Sequence, residues 1–309
     1  MVSHLASAAG LAGPWVMSSD SPGVPEADPA ACAAEALRLL QAHAYFADRV
    51  DWVSVTAEVS RAVVQGASLA SALRPVWREL GDRHSFLRPA ESTRTSGPAG
   101  DVPAGRRLPA NLGYLRLPGI ATGTRTAAAL EYVAAAWARL RARPRPSGWV
   151  LDLRGNGGGN IVPMLAAAGP LLGPGEWLAY QRRDGGALRY SYSAGEVRAD
   201  GRQVLLAPDP PSDDPEVPVA MLVDRHTASA AEGLLVSFRG RPRTRIIGTA
   251  TAGVPTGNSS YELADGSLLL ITTSLAVDRR GRCHAAAVVP GREGGVAEAR
   301  AWLNTQRPR

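Results

Sequence analysis

The spacing of apolar residues predicts helices in the first part of the chain. An Asp28-Pro29 pair is typical of a helix start, and apolar positions follow it as far as Tyr45. A second helix is predicted over 51–65, where four apolar residues share one face: Trp52, Val55, Val59 and Val63. A third helix is predicted over 69–80, ending before Gly81. Together these segments predict a small helical domain.

After residue 111 the pattern changes to alternating strands and helices. Strands are predicted over 112–117, 149–153, 219–223, 245–248 and 268–277, and helices over 126–141, 161–172, 229–238 and 293–304. Short strands with glycine turns are predicted over 177–206. Such alternation favours an α/β core. The predicted division is a disordered tail over 1–27, a helical cap domain over 28–88, a Pro/Gly/Ser-rich linker over 89–110 and a core domain over 111–309.

Charge and composition exclude several functional classes. The net charge of +6 comes entirely from arginine, because the sequence contains no lysine. The arginines are scattered, so we expect no nucleic-acid partner. The longest apolar runs are too short for a membrane span, and the first arginine is Arg38, too late for a signal peptide. A cytoplasmic location without membrane association is therefore predicted. Cys32 and Cys283 have no metal-type spacing, and we expect neither a metal nor a cofactor.

Three short segments could carry chemistry. The first contains His84, at the end of the helical domain, whose imidazole could act as a general base or could simply be a surface histidine. The second follows the strand over 149–153, where Gly155, Gly157, Gly158 and Gly159 lie close together. Glycines there allow backbone N–H groups to converge on a negative charge, although a tight structural turn is the alternative.

The third segment places Ser229 where a buried strand leads into a helix. A serine on such a turn lies at the positive end of the helix dipole, beside small residues that would admit a substrate. The alternative is an ordinary helix N-cap. His226 is close in sequence, but no spacing directs it toward Ser229. Together, the three segments could supply a base, an oxyanion hole and a nucleophile.

At these residues the chain resembles the S41 serine peptidases, which include tail-specific processing proteases, the tricorn core protease and nisin resistance protein. The resemblance runs from about residue 51 onward and rests on several motifs in order: LGDRHSF (80–86), GYLRLPG (113–119), LDLRGNGGGN (151–160), TASAAE (227–232) and RIIGTATAG (245–253). It implies a helical cap on a ClpP/crotonase-like core. The segment over 89–110 is too short for the PDZ module that many members carry.

The family has two catalytic arrangements. The processing proteases pair the serine with a lysine, and Val254 stands at that position here. The other branch uses the histidine that corresponds to His84. In the tricorn arrangement a later glutamate assists, whereas the corresponding segment around His284 and Ala285 contains no carboxylate. The resemblance therefore implies a dyad of Ser229 and His84.

The resemblance also implies an oxyanion hole and a function. Its donors would be the amide of Gly157 or Gly158 together with that of Ala230. The predicted function is a serine hydrolase that forms an acyl-enzyme, with a peptide or another small acyl compound as substrate. Two alternatives remain at this point: an esterase or cyclase acting on a small metabolite, and an inactive homologue that binds peptides.

Overall fold

A computed structural model describes residues 28–90 and 101–306. The predicted tail over 1–27 and the middle of the predicted linker lie outside the described residues. Within the described segments, no helix is both long and apolar enough to cross a membrane. The cytoplasmic location stays a prediction.

The N-terminal region is helical, as predicted. It comprises α1 (Pro29–His43), a 3-10 turn (Ala47–Arg49), α2 (Trp52–Val64), α3 (Leu69–Ala72) and α4 (Arg74–Leu80). Asp28 and Asp51 cap α1 and α2 by accepting hydrogen bonds from backbone amides of the first turn. The single helix predicted over 69–80 is wrong, because it is divided in two at Leu73, and Pro75 lies in the first turn of α4.

A five-stranded sheet forms the centre of the α/β region. Its strands lie in the order β10 (Thr244–Gly248), β9 (Val219–Val223), β4 (Trp149–Asp152), β3 (Leu112–Arg116) and β2 (Ala104–Leu108). The first four are parallel, and β2 is an antiparallel edge strand. Strand β2 lies inside the segment over 89–110 that the sequence predicted as linker.

Helices cover both faces of this sheet, which explains the continuous apolar runs in its parallel strands. One face packs on α5 (Ala127–Leu140), α6 (Ile161–Leu172) and α7 (Ala230–Ser237), and the other on α8 (Val296–Thr305). Alternate residues of a strand point to opposite faces, so Met221 belongs to the first core and Leu222 to the second.

A second sheet connects the helical region to this core. Its strands are β1 (Phe86–Arg88), β5 (Gly175–Arg182), β6 (Ala187–Ser193), β7 (Glu196–Ala199), β8 (Arg202–Leu206), β11 (Thr256–Glu262), β12 (Leu268–Asp278) and β13 (Cys283–His284). Leu269 and Ile271 of β12 are buried in the same apolar cluster as Leu40 and Val59 of the helices. The helical region therefore packs on this sheet, and β1 pairs with β12 directly after α4. The fold class predicted from the sequence is confirmed.

Candidate active site

The glycine-rich loop begins where β4 ends, at the carboxyl edge of the parallel sheet. Ligand sites of open α/β sheets commonly lie at this edge. Asn156, which is fully buried, fixes the loop: its Nδ2 donates to Leu117 O at 2.9 Å, and its Oδ1 accepts from Gly158 N at 2.9 Å. The amide of Ile120 donates to Gly158 O at 3.1 Å. The loop is therefore anchored to the segment that follows β3.

The backbone at Gly158 approaches the Ser229 turn so closely that no side chain would fit. Its φ is +98°, and a Cβ atom there would lie 2.8 Å from Ser229 Cβ and 3.0 Å from the Ala230 amide nitrogen. The amide of Ala228 also donates to Asn156 O at 3.0 Å. The glycine loop and the serine turn consequently form one compact unit.

Ser229 has a backbone conformation that is rare for a residue with a side chain. Its φ is 55° and its ψ is −120°. Such conformations cost about 1–3 kcal/mol and are concentrated at functional sites. Ser229 is partly exposed, and its backbone amide donates to the Glu232 carboxylate at 3.1 Å, which is one half of a capping box. Ser229 is therefore the N-cap of α7, but its backbone differs from the extended conformation that an ordinary N-cap adopts.

Two backbone amides beside the serine lack an acceptor in the described parts of the chain: those of Gly157 and Ala230. Ala230 is the first residue of α7, where an N–H has no acceptor within the helix. The Gly158 amide, in contrast, is engaged by Asn156 inside the loop. Of the amides predicted for an oxyanion hole, Gly157 and Ala230 are therefore available, and Gly158 serves the close approach.

Glu232 connects the serine turn to the loop after β10. This carboxylate is fully buried and accepts hydrogen bonds from the backbone amides of Ser229 (3.1 Å), Gly253 (2.9 Å) and Val254 (2.8 Å) and from the Thr251 hydroxyl (2.5 Å). Hydrogen bonds to an ionised acceptor are stronger than neutral ones. The conformation of Ser229 is thus supported by a saturated carboxylate.

His84 lies in the turn between α4 and β1. Asp82 supports the backbone of this turn, because its Oδ1 accepts from the amides of His84 (2.8 Å) and Ser85 (2.6 Å). The side-chain amide of Asn258 donates to His84 O at 2.8 Å. Nδ1 of the imidazole lies 2.6 Å from Oγ1 of Thr256, and Thr256 is the first residue of β11. A hydroxyl group therefore contacts the ring, whereas no hydrogen bond joins Asp82 to the imidazole in the described structure.

Burial lowers the pKa of the His84 imidazole below its ordinary value of about 6.5, and the nearby Asp82 carboxylate offsets only part of that effect. The imidazole is consequently neutral at pH 7. Its Nε2 atom has no hydrogen-bond partner in the described structure. Neutrality and a free nitrogen are the two properties that a general base needs.

His84 opens onto a cleft of about 250 Å³, which we name the histidine cleft. Its walls come from the 3-10 turn after α1, the turn after α4, the loop after β10, the strands β11 and β12, and the segment after β13. The lining residues are Phe46, Arg49, Gly81, Asp82, Arg83, His84, Gly253, Val254, Thr256, Thr272, Ala285, Ala286 and Ala287. The late segment, where the family resemblance implies a glutamate in tricorn, therefore does reach the histidine. It brings only alanines.

No direct hydrogen bond joins Ser229 and His84 in the described structure, but a short series of contacts connects them. Glu232 binds the amides of both Ser229 and Val254. The amide of Thr256 donates to Val254 O at 2.7 Å, and its hydroxyl contacts the His84 ring. Catalytic hydrogen bonds are often long before a substrate binds.

The other two histidines near the site have different surroundings. His226 is exposed, and its backbone amide donates to the Asp224 carboxylate at 3.0 Å. Nε2 of His284 lies 3.1 Å from Asp278 Oδ2, so this ring is paired with its own carboxylate. Sequence reasoning missed Thr256, for which no local pattern exists. It also gave no sign of the contacts that Glu232 makes with the loop after β10.

The comparisons with known proteins agree with one another. The sequence profile of peptidase family S41 matches residues 111–292. Nisin-resistance protein of Lactococcus lactis subsp. lactis is 26% identical over 255 residues, which are 81% of this chain and 78% of that protein. A chloroplastic C-terminal processing peptidase of Tetradesmus obliquus is 32% identical over 163 residues, 53% of this chain but only 30% of that protein.

Two solved structures have the same fold. A lipoprotein from Streptococcus agalactiae superposes with a TM-score of 0.77 at 21% identity, over 91% of this chain and 98% of that one. The photosystem II D1 C-terminal processing protease superposes with a TM-score of 0.55 at 15% identity, over 87% and 93% of the two chains.

Proposed function

We propose that this chain, which belongs to peptidase family S41 and is a serine peptidase, forms an acyl-enzyme on Ser229 with His84 as general base. The observation that carries the proposal is the turn at Ser229, where a partly exposed hydroxyl lies in a strained conformation beside two unpaired amides. A strained strand-to-helix turn of this kind presents the nucleophile in other hydrolases.

The choice of His84 as the base rests on the absence of lysine and on the surroundings of the imidazole. No lysine occurs in the sequence, so this chain supplies no serine–lysine pair. His84 is neutral, is free at Nε2 and lies in a cleft that also contains Val254, the position where the resemblance implies lysine in other members. With a proton on Nδ1, the imidazole donates to Thr256 Oγ1 and keeps the lone pair on Nε2 for the serine proton.

The reaction then has two halves. Ser229 Oγ attacks the carbonyl carbon while its proton passes to His84 Nε2, and the amides of Gly157 and Ala230 donate to the oxyanion. The C–N bond breaks, the leaving amine takes the proton from His84, and the acyl group stays on Ser229. Water then attacks the acyl carbon, gives one proton to His84 and releases the acid, after which Ser229 Oγ recovers its proton.

A fluorophosphonate probe tests this proposal, since it labels only an activated serine. We expect wild-type protein to be labelled, Ser229→Ala to lose labelling completely, and His84→Ala to lose most of it. Ser71→Ala, at an exposed serine of α3, and His226→Ala are matched controls that should keep wild-type labelling. Labelling that survives Ser229→Ala, or absence of labelling in the wild type, would refute the proposal, and the latter would favour a peptide-binding homologue.

The substrate is a separate question. We propose peptides, in agreement with the peptidase family and with the similarity to a C-terminal processing peptidase. Mass spectrometry of a mixed peptide library would detect cleavage products. An enzyme that is labelled but cleaves esters alone would instead be an esterase.

A further inference from the structure

The histidine cleft contains two arginines in addition to His84. Arg49 comes from the 3-10 turn after α1, and Arg83 precedes His84 in the turn after α4. A cleft beside a proposed general base is a place where substrate residues next to the scissile bond would bind. The charges of its walls therefore bear on which peptides the enzyme accepts.

Each of these exposed arginines has one hydrogen bond to the protein backbone. Arg49 Nη1 donates to Leu80 O at 3.3 Å, and its guanidinium carbon lies 3.9 Å from the centre of the Phe46 ring. Arg83 Nη2 donates to Ala252 O at 2.9 Å. An arginine has five N–H donors, so each group uses one of them and leaves others free. Fixing the side chain in advance lowers the entropic cost of binding a ligand.

Neither arginine forms an ion pair within the two described segments. Asp82 is the one carboxylate that lines the cleft, and its oxygens already accept from the amides of His84 and Ser85 and from the hydroxyls of Ser85 and Thr272. With His84 neutral, the charges on the cleft walls are two positive and one negative. The surplus positive charge has unused donors.

We propose that Arg49 and Arg83 bind a carboxylate group of the peptide substrate in the histidine cleft. This inference rests on the proposed peptidase function and names its substrate class. The carboxylate could come from an aspartate or glutamate side chain or from the free C-terminus of the peptide, since arginine binds both in the same planar geometry. Neutral alanines at 285–287 form part of the remaining lining and would contact the adjoining apolar part of the substrate.

Competition with the fluorophosphonate probe tests the proposal without requiring cleavage. The competitors are alanine hexapeptides in which one glutamate is moved through the six positions, each compared with its glutamine counterpart as C-terminal amides. The same all-alanine peptide with a free acid or an amide end forms the second arm. The measured quantity is the peptide concentration that halves the labelling rate of Ser229.

We expect at least one acidic peptide to compete about tenfold or more better than its neutral counterpart, because hydrogen bonds to charged groups contribute about 1.5–3 kcal/mol. A preference in the first arm assigns a side-chain carboxylate, and one in the second arm assigns the C-terminus. Arg49→Gln and Arg83→Gln should each remove most of the preference. Arg61→Gln, at an exposed arginine of α2 outside the cleft, should preserve it.

The inference is overturned if no acidic peptide outcompetes its neutral partner, or if the preference survives in both cleft variants. Probe labelling in the absence of peptide must remain normal in these variants, since neither residue takes part in the proposed proton transfer. Loss of labelling in the wild-type protein would instead refute the proposed function, so the two failures are distinguishable.

Discussion

Replacing Thr256 by valine tests whether its hydroxyl orients His84, the proposed general base. Thr256 is 7% exposed, and valine preserves its shape while removing the atom that lies 2.6 Å from His84 Nδ1. An ordinary hydrogen bond contributes about 0.5–1.5 kcal/mol, and a buried donor left without a partner costs about 1–3 kcal/mol. At 1.36 kcal/mol for each tenfold change in rate, we expect kcat/KM to fall about 10- to 100-fold.

This range separates the hydroxyl from a triad carboxylate, whose removal costs about 10⁴-fold. The assay is kcat/KM on a cleaved peptide, or the rate of fluorophosphonate labelling, with thermal unfolding as a check on the fold. Thr256→Ser keeps the hydroxyl and should remain within a few-fold of wild type. A Thr256→Val enzyme with unchanged kcat/KM would refute the orienting role, and a 10⁴-fold loss in a folded variant would show that neutral hydrogen bonding is the wrong description.

Three further predictions concern the base, the buried glutamate and the glycine loop. In a plot of kcat/KM against pH, the acid limb should have an apparent pKa below about 6.5, because activity is lost when His84 becomes protonated as the pH falls. An acid limb centred above pH 7 would contradict a buried neutral base. Glu232→Gln should lower the free energy of unfolding in urea by about 2 kcal/mol or more, because the NH₂ group of the glutamine would face backbone donors. The variant should nevertheless keep more activity than Ser229→Ala. A folded variant as inactive as Ser229→Ala would show that this carboxylate is catalytic. Gly158→Ala should reduce kcat/KM at least about 100-fold, because its Cβ would displace Ser229 and the adjacent amide of Ala230, a proposed oxyanion donor. Gly291→Ala adds a methyl group in open space and should match wild type. Equal activities of the two variants would refute the close-approach argument.

Much of the fold followed from the sequence because its strands and helices have strong local patterns. The buried run at 219–223 and the cap at Asp28 depend on neighbouring residues alone, and both elements form as predicted. The break at Leu73 and the strand at 104–108 were missed. This strand lies at an edge of the sheet and is mostly exposed, so it lacks the apolar alternation that identifies strands.

In the candidate site too, local features could be predicted from the sequence, whereas contacts between distant residues could not. Ser229 and the glycine loop could be located because a turn between a strand and a helix is a local feature. The partner of the His84 ring could not, since Thr256 lies 172 residues away and β11 brings it there only through pairing with β12. The bonds of Glu232 to Gly253 and Val254 could not be predicted either, because they depend on how the loop after β10 folds over the carboxylate.

The contacts of Glu232 also explain why it is a poor partner for the histidine. A carboxylate that orients an imidazole must keep at least one oxygen free for Nδ1, and both oxygens of Glu232 already accept from buried or half-buried donors. Releasing one would leave a donor unsatisfied, at about 1–3 kcal/mol, and would weaken support for a serine turn whose strain costs about as much. Serine and histidine are therefore positioned by different groups, a saturated carboxylate for one and a hydroxyl for the other. The two can fail separately under mutation, which a shared triad carboxylate would not allow.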